Sequence, residues 1–403
     1  MSASPYLFYN PENFLDSTLK EWAKNATIAH IGPLWLPLPR EDRNYGGIED
    51  VVLNNIKALE KFRVKKQIIF GNPANKRMEH SLKRVRVYTP DYISSSENLL
   101  EVLRTNPYSA EKLEHIYVLQ AYRKIAANRK DMTIVHDHTN VGRGYSIWFS
   151  KYVKPVIRTE HGPLKFPYIS HLDEAYFSLL KYRRSVGFIA ISKNQRSQMP
   201  SLPWIGVNYN GINLADFEYK EKKENFLLYL GRITRDKGTH NAIRVARRLK
   251  IPLIIAGTVE EKPDSLEYFE NEISPYIDGI NVIHFENGAN AEERKGLLSR
   301  ATALLMLNEW DEPFGMVMPE AMASGTPVVG TSKGSIPEIV GEGCGFVVKN
   351  ITLAVQAVRK ILEGNYSSKH CRIRVEKLFS QEAMAARNLR LYKQHAERFS
   401  HQS

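Results

Sequence analysis

Short apolar runs alternate with longer amphipathic segments along the whole chain. Runs at 27–31, 66–70, 133–136, 155–159 and 187–191 have strand length and end in turns carrying Gly, His, Asn or Ser. Segments 49–61 and 110–127 between them have helical spacing. The pattern then repeats. Strands are predicted at 226–230, 252–256, 281–285, 303–307 and 327–329, with helices at 239–249 and 292–300. Such alternation predicts an α/β protein with parallel sheets. Two consecutive Rossmann-like, doubly wound domains are expected, facing across a cleft, with ligands at the carboxyl ends of the strands. Turn signals followed by a charge run over 209–224 place the linker there. The expected division is an amino-terminal domain 1–212, whose first 26 residues form an extension, a carboxyl-terminal domain 213–380, and a terminal helix 381–403 that returns to the first domain.

The length of 403 residues fits two domains, and 43% hydrophobic with 25% charged residues is ordinary for a globular chain. The apolar runs fall far short of the roughly 18 residues of a spanning helix. The first residues lack the pattern of a secretory signal. With only Cys344 and Cys371, a cytoplasmic setting is expected. The formal charge of +12 favours anionic partners: a nucleoside diphosphate, an anionic membrane surface at which the chain would be peripheral, or nucleic acid. Nucleic acid is not the expected partner, because no helix-turn-helix, zinc-finger or aromatic RNA motif is apparent. Much of the excess lies in Lys61, Arg63, Lys65, Lys66, Lys76, Arg77, Lys83, Arg84 and Arg86, with a second cluster at Lys181, Arg183 and Arg184.

The sharpest chemistry lies between residues 308 and 329. A predicted strand leads into a loop, a helix is expected to begin near Pro319, and another strand follows. The loop Phe314, Gly315, Met316, Val317 can turn backbone N–H groups toward an anion at the helix start. Glu312 and Glu320 stand on either side of it, and carboxylates suit sugar hydroxyls. Alone, either glutamate is also explained by the helix dipole. Arg232 and Lys237 follow a strand and precede a helix, where positive charge opposes the dipole, so a bound diphosphate is the better reason for them. Gly46 and Gly47 let backbone approach a diphosphate. His161 follows a strand end and can meet a sugar hydroxyl or developing charge. His136 and His138 resemble a metal pair, but no third and fourth ligand accompany them in the sequence. A structural or acceptor-side role is therefore favoured, and no metal ligand is assigned.

In order, these motifs resemble the retaining GT-B glycosyltransferases of family 4. The two-glutamate segment Glu312–Glu320, followed by Ala-Met-Ala-Ser-Gly-Thr-Pro-Val-Val, is similar to the family signature, with Pro313 where Gly is commoner. Tyr45-Gly-Gly-Ile-Glu49, Val135-His-Asp-His138, Arg158-Thr-Glu-His-Gly162, Leu230-Gly-Arg-Ile-Thr-Arg-Asp-Lys-Gly238 and Gly334-Ser-Ile-Pro-Glu-Ile-Val340 carry the resemblance along the chain. It implies a UDP- or GDP-linked sugar donor, no cofactor, and transfer with retention to an acceptor that the sequence does not identify. The leaving phosphate would help to deprotonate that acceptor. By the same resemblance Glu320 holds the donor ribose, Glu312 touches the transferred sugar, and His161 is the catalytic-region histidine. Asp-x-Asp occurs nowhere, so Arg232, Lys237 and backbone dipoles are expected to replace a divalent ion. The acceptor is expected near His161, Gly46, Gly47 and the basic segment 61–86. A nucleotide-sugar epimerase of the same architecture is the alternative enzyme, and a basic nucleic-acid-binding protein the alternative of another class. The oligomeric state is not legible.

Overall fold

The computed structural model describes residues 4–34, 47–90, 105–139, 141–153, 155–164, 175, 177–179, 186–285 and 288–400. The chain forms two compact units. One comprises the described residues of 11–211 and 381–403; the other those of 1–10 and 212–380.

The amino-terminal unit is built on β1 (Thr27–Ile31), β2 (Lys66–Phe70), β3 (Val85–Tyr88), β4 (Ile134–Asp137), β5 (Val156–Glu160), β6 (Val186–Ala190) and β7 (Trp204–Val207). All pairings are parallel, in the order β3-β2-β1-β4-β5-β6-β7. Side-chain alternation sorts the two faces. Ala29, Ile31, Ile68, Phe70 and Val135 pack with Tyr117, Val118 and Ala121 of the helix Pro107–Ala127. Ile69 of the opposite face packs with Val52, Leu53 and Ile56 of the helix Ile48–Lys61. The terminal helix Gln381–Ser400 joins this face. Asn388 Nδ2 donates to Asn55 Oδ1 at 2.9 Å, Asn208 Nδ2 donates to Asn388 Oδ1 at 2.7 Å, and Lys61 pairs with Glu382 at 2.7 Å.

The carboxyl-terminal unit holds β8 (Leu227–Leu230), β9 (Leu253–Ala256), β10 (Val282–His284), β11 (Ala303–Met306), β12 (Val328–Thr331) and β13 (Gly345–Val348), again parallel, in the order β10-β9-β8-β11-β12-β13. Its core joins Leu227, Leu253, Leu305 and Val329 to the helices Thr239–Leu249 and Ile351–Leu362. The start of the chain is fastened to this unit. The N–H groups of Leu7 and Phe8 donate to Glu376 at 2.8 and 2.9 Å, and Arg372 donates to the carbonyl of Pro5. Part of the leading extension thus belongs with residues 212–380, a placement its sequence did not announce.

The fold is the expected α/β architecture with two doubly wound parallel sheets. Unpredicted strands β3, β7 and β13 are sheet edges: Arg86 interrupts β3, while β7 and β13 are apolar runs of four residues that each include a glycine and stay partly exposed. No described helix is long and apolar enough to cross a membrane. The helix Gln381–Ser400 buries Met384, Leu389 and Tyr392 within the amino-terminal unit. A chain ended after Ser380 is therefore expected to lose cooperative unfolding of that unit while residues 212–380 keep theirs. Hydrogen exchange read strand by strand checks this, and full protection of β1 and β4 in the shortened chain would contradict it.

Candidate active site

Each sheet reverses its strand order once, between β1 and β4 and between β8 and β11. Loops leaving the two strands diverge there and open a crevice at the carboxyl edge. In the carboxyl-terminal unit the backbone closes tightly around that point. Gly238 has φ +72°, and a Cβ on it would lie 2.1 Å from the carbonyl oxygen of Leu307. This approach seats Lys237 beside the loop after β11. Its Nζ is 2.6 Å from Glu312 Oε2 and 4.4 Å from the centre of the Trp310 ring, and Asn308 Nδ2 donates to the same carboxylate oxygen at 2.9 Å. The Lys237 and Glu312 side chains are only 15% and 10% exposed, so the pair is largely removed from water.

The Glu312 loop is clamped by a second glycine turn. Gly334 has φ +57°, and a Cβ there would lie 2.3 Å from both the N and the O of Glu312. The N–H of Ser335 donates to Glu312 O at 2.8 Å, and its Oγ donates to Phe314 O at 2.9 Å. The helix Val317–Ala323 follows, with Pro319 as its third residue rather than its first. Met318 N–H bonds Gly315 O and Glu320 N–H bonds Met316 O, so the N–H groups of Gly315, Met316 and Val317 precede the first bonds of the helix. Phe314 packs edge-on against Phe379 at 6.0 Å. Glu320 is buried, its Oε1 3.8 Å from Arg294 Nη2. Arg232 is placed differently from Lys237: its side chain is 55% exposed and pairs with Glu260. Burial works to raise the Glu260 carboxyl, but Lys262 and Arg232 outweigh it and hold the group below the usual carboxylate range. An open cavity of about 920 Å³ lies along the neighbouring face, lined by Arg235, Glu260, Lys262 and Tyr268 among others. Lys237, Glu312 and Glu320 lie outside that lining, and the converging polar groups Lys237, Glu312 and Asn308, not volume, mark the candidate site.

In the amino-terminal unit a fully buried guanidinium organises the ends of β4 and β5. Arg158 Nη1 is 2.6 Å from Asp137 Oδ2, Nε is 3.4 Å from Glu160 Oε1, and Nη2 donates to Thr139 O at 2.7 Å. Burial alone would lower the Arg158 pKa; the two carboxylates overcome it and raise it. His161 follows directly. Gln195 Nε2 donates to Glu160 O at 2.9 Å and Gly162 O at 2.7 Å, fixing the turn on both sides of that residue. His161 Nε2 lies 3.1 Å from His138 Nδ1. Burial pulls the His161 pKa down to about 4, Glu160 opposing, so the ring is neutral at pH 7. His136 contacts Tyr392 Oη through Nδ1 at 2.5 Å and Thr159 Oγ1 through Nε2 at 2.7 Å. Gly47 precedes the helix Ile48–Lys61, and a Cβ there would meet nothing within 4 Å, so packing in this unit does not demand a glycine. Gly46 and Tyr45 lie outside the described residues, as do Lys181, Arg183 and Arg184.

The basic segment does not form one surface. Lys61, Arg63, Lys65 and Lys66 sit at the amino end of β2, whereas His161 follows the carboxyl end of β5 in the same parallel sheet. Arg84 and Arg86 flank and line the edge strand β3, where charge discourages edge-to-edge pairing. Of the whole run, Lys76 and Arg77 follow the carboxyl end of β2.

Residues 45–216 match the family described as Glycosyltransferase Family 4, and residues 213–377 match Glycosyl transferases group 1. The chain is a family 4 glycosyltransferase. It is 26% identical over 280 residues to the MMP alpha-(1->4)-mannosyltransferase of Mycolicibacterium hassiacum, covering 64% of this chain and 67% of that one. It spans less than half the length of three further curated relatives, 41–44%. Two solved structures share the fold: a sucrose-phosphate synthase from Thermosynechococcus elongatus (TM-score 0.68, 21% identity, 92% and 98% coverage) and HepE of Anabaena in complex with UDP-glucose (TM-score 0.63, 16% identity, 93% and 99% coverage).

Three residues stand inside the quoted motifs but were given no role there: Asn308 shares the Glu312 carboxylate, Ser335 ties down its loop, and Arg158 pairs with Glu160, the residue before His161. His30 was missed although it lies in β1 directly opposite His136, a register no single motif reveals. Two substitutions test the scaffold. Arg158→Met strands Asp137 and Glu160 without their buried partner and is expected to destabilise the amino-terminal unit by about 3–5 kcal/mol. Gly334→Ala forces a Cβ into the Glu312 backbone and should cost the other unit roughly 2 kcal/mol or more. Urea unfolding of each variant measures this, and wild-type midpoints would contradict it.

Proposed function

We propose that this transferase moves a hexose from a UDP- or GDP-linked donor to an acceptor hydroxyl with retention at the anomeric carbon. The observation that carries the reading is the semi-buried Lys237–Glu312 pair at the β8/β11 switch point, beside the start of the helix Val317–Ala323. Before donor binds, Glu312 neutralises Lys237. A diphosphate offers the ammonium a stronger anion, and the freed Glu312 carboxylate then accepts from hydroxyls of the sugar. Lys237 thus stabilises charge as it develops on the leaving phosphate. Arg232, once it exchanges Glu260 for phosphate, and the N–H groups of Phe314, Gly315, Met316 and Val317 add to this, so the leaving group needs no divalent ion. Glu320, buried in the first turns of that helix, holds the ribose. In the amino-terminal unit, neutral His161 hydrogen-bonds the transferred sugar, and the Gly46-Gly47 turn gives its backbone to the donor. The UDP-glucose bound by HepE and the mannosyltransferase among the relatives support a nucleoside-diphosphate hexose. The acceptor, whether saccharide, lipid-linked or small molecule, is taken up in the amino-terminal unit. In that role Lys76 and Arg77 hold the chain at an anionic membrane surface; co-sedimentation with anionic liposomes at low salt is expected, and no lipid-dependent binding would remove this part of the reading.

A screen of nucleotide sugars with the metal-stripped chain, followed by proton NMR of the product, tests the reading. Transfer without added Mg²⁺ or Mn²⁺ and a retained anomeric configuration are expected; an inverted product, or epimerised sugar formed without acceptor, would overturn it. Lys237→Ala should lower kcat/KM by about 2–4 kcal/mol in transition-state terms. Glu320→Gln should chiefly weaken nucleotide binding, and His161→Ala should suppress transfer with nucleotide affinity nearly intact. Titration calorimetry with the free nucleotide separates these outcomes: unchanged affinity for Glu320→Gln would remove the ribose role.

A further inference from the structure

The switch point of the amino-terminal sheet carries more imidazole than sugar transfer needs. His30 of β1 and His136 of β4 are register partners on adjacent parallel strands, and His138 follows two residues on. All three rings are buried, and one ring nitrogen from each lies within 4.8 Å of the other two. His30 is 0% exposed with no hydrogen bond to either ring nitrogen, and His138 Nε2 is likewise without a partner. Each buried orphan of this kind costs about 1–3 kcal/mol, so three rings gathered this closely need a reason.

We propose that His30, His136 and His138 bind one transition-metal ion of nitrogen-ligand preference, with Zn²⁺ as the principal candidate. His138 offers the free Nε2 and His30 a free ring nitrogen. His136 offers Nε2 as the Thr159 hydroxyl turns away, while Tyr392 Oη keeps hold of Nδ1. Ligand histidines need such a partner on the other nitrogen to fix tautomer and orientation. Tyr392 supplies it for His136 and His161 for His138, while His30 keeps both ring nitrogens free of protein partners. The buried charges nearby do not repel a cation as a group, because Asp137 and Glu160 share one guanidinium. With Nε2 on the ion, His138 carries its proton on Nδ1 and donates it to His161 Nε2. The ion is then a positioning device for His161, chemically separate from the donor phosphates.

The test is metal binding by the full chain. Protein stripped with a chelator is titrated with Co²⁺, read by its visible ligand-field absorption, and then with Zn²⁺ in competition. One Co²⁺ per chain, displaced by Zn²⁺, is expected. His30→Gln and His138→Gln should each abolish the band, while His370→Gln, an exposed histidine of the other unit, should leave it unchanged. Tyr392→Phe removes only an oxygen and should weaken binding roughly 10–100-fold, which keeps the test open if a histidine variant fails to fold. No uptake of Co²⁺ or Zn²⁺ by the stripped wild type, or equal uptake by folded His30→Gln, would overturn the proposal. So would unchanged affinity in Tyr392→Phe.

Discussion

A parallel sheet that reverses its strand order must send two neighbouring loops in opposite directions, and the groups at that gap lose their backbone neighbours. The closest side-chain clusters of the two candidate regions, Lys237 with Glu312 and His30 with His136, lie at two such gaps. At β8/β11 the turn from Gly231 to Gly238 and the loop from Asn308 to Gly315 meet, and the meeting is tight enough that only glycine fits at 238 and 334. At β1/β4 the strand register sets His30 against His136. The crevice is a topological property, but its chemistry is local: one gap is lined by a lysine and glutamates, the other by imidazoles.

Charge inside each unit is handled by pairing. Arg158 is shared by Asp137, Glu160 and a carbonyl. Arg372 donates to Glu376 and to the carbonyls of Phe217, Ala323 and Pro5, which draws the start of the chain onto the carboxyl-terminal unit. These pairs are structural because every charged atom has a fixed partner. Lys237–Glu312 differs in that it lies at the strand-order reversal, in the loop that leads to the helix Val317–Ala323, where an anion can compete for the lysine. Arg232 differs too, exposed and held by Glu260 alone among the described carboxylates.

Much of this was legible in the sequence. The apolar runs marked the central strands to within a residue or so. The prolines at 155, 252 and 327 lend only a carbonyl to the ladder, so each strand is assigned from the following residue. The two-glutamate segment and the Gly-Arg…Lys-Gly turn marked Lys237 and Glu312, which the fold brings together, because a helix start rich in positive charge has no good reason without a ligand. What stayed hidden depends on register and on distant pairing. His30 reads as a strand residue until β4 is laid beside β1. The edge strands β3, β7 and β13 are short and half-exposed, and a charge or a glycine breaks each one. The tie between Glu376 and residues 7 and 8 joins opposite ends of the sequence. The charge total misled in one respect: it counted Lys61 to Arg86 as one patch, whereas the fold spreads those residues over two ends and an edge of the sheet.

The central claim is that donor diphosphate replaces Glu312 as the partner of Lys237. A crystal structure with a bound UDP- or GDP-sugar tests it most directly. The account predicts a phosphate oxygen within hydrogen-bonding distance of Lys237 Nζ, the Lys237–Glu312 contact opened, and the ribose on Glu320. Nucleotide seated instead in the cavity lined by Arg235, Lys262 and Tyr268, with the Lys237–Glu312 pair intact, would contradict it.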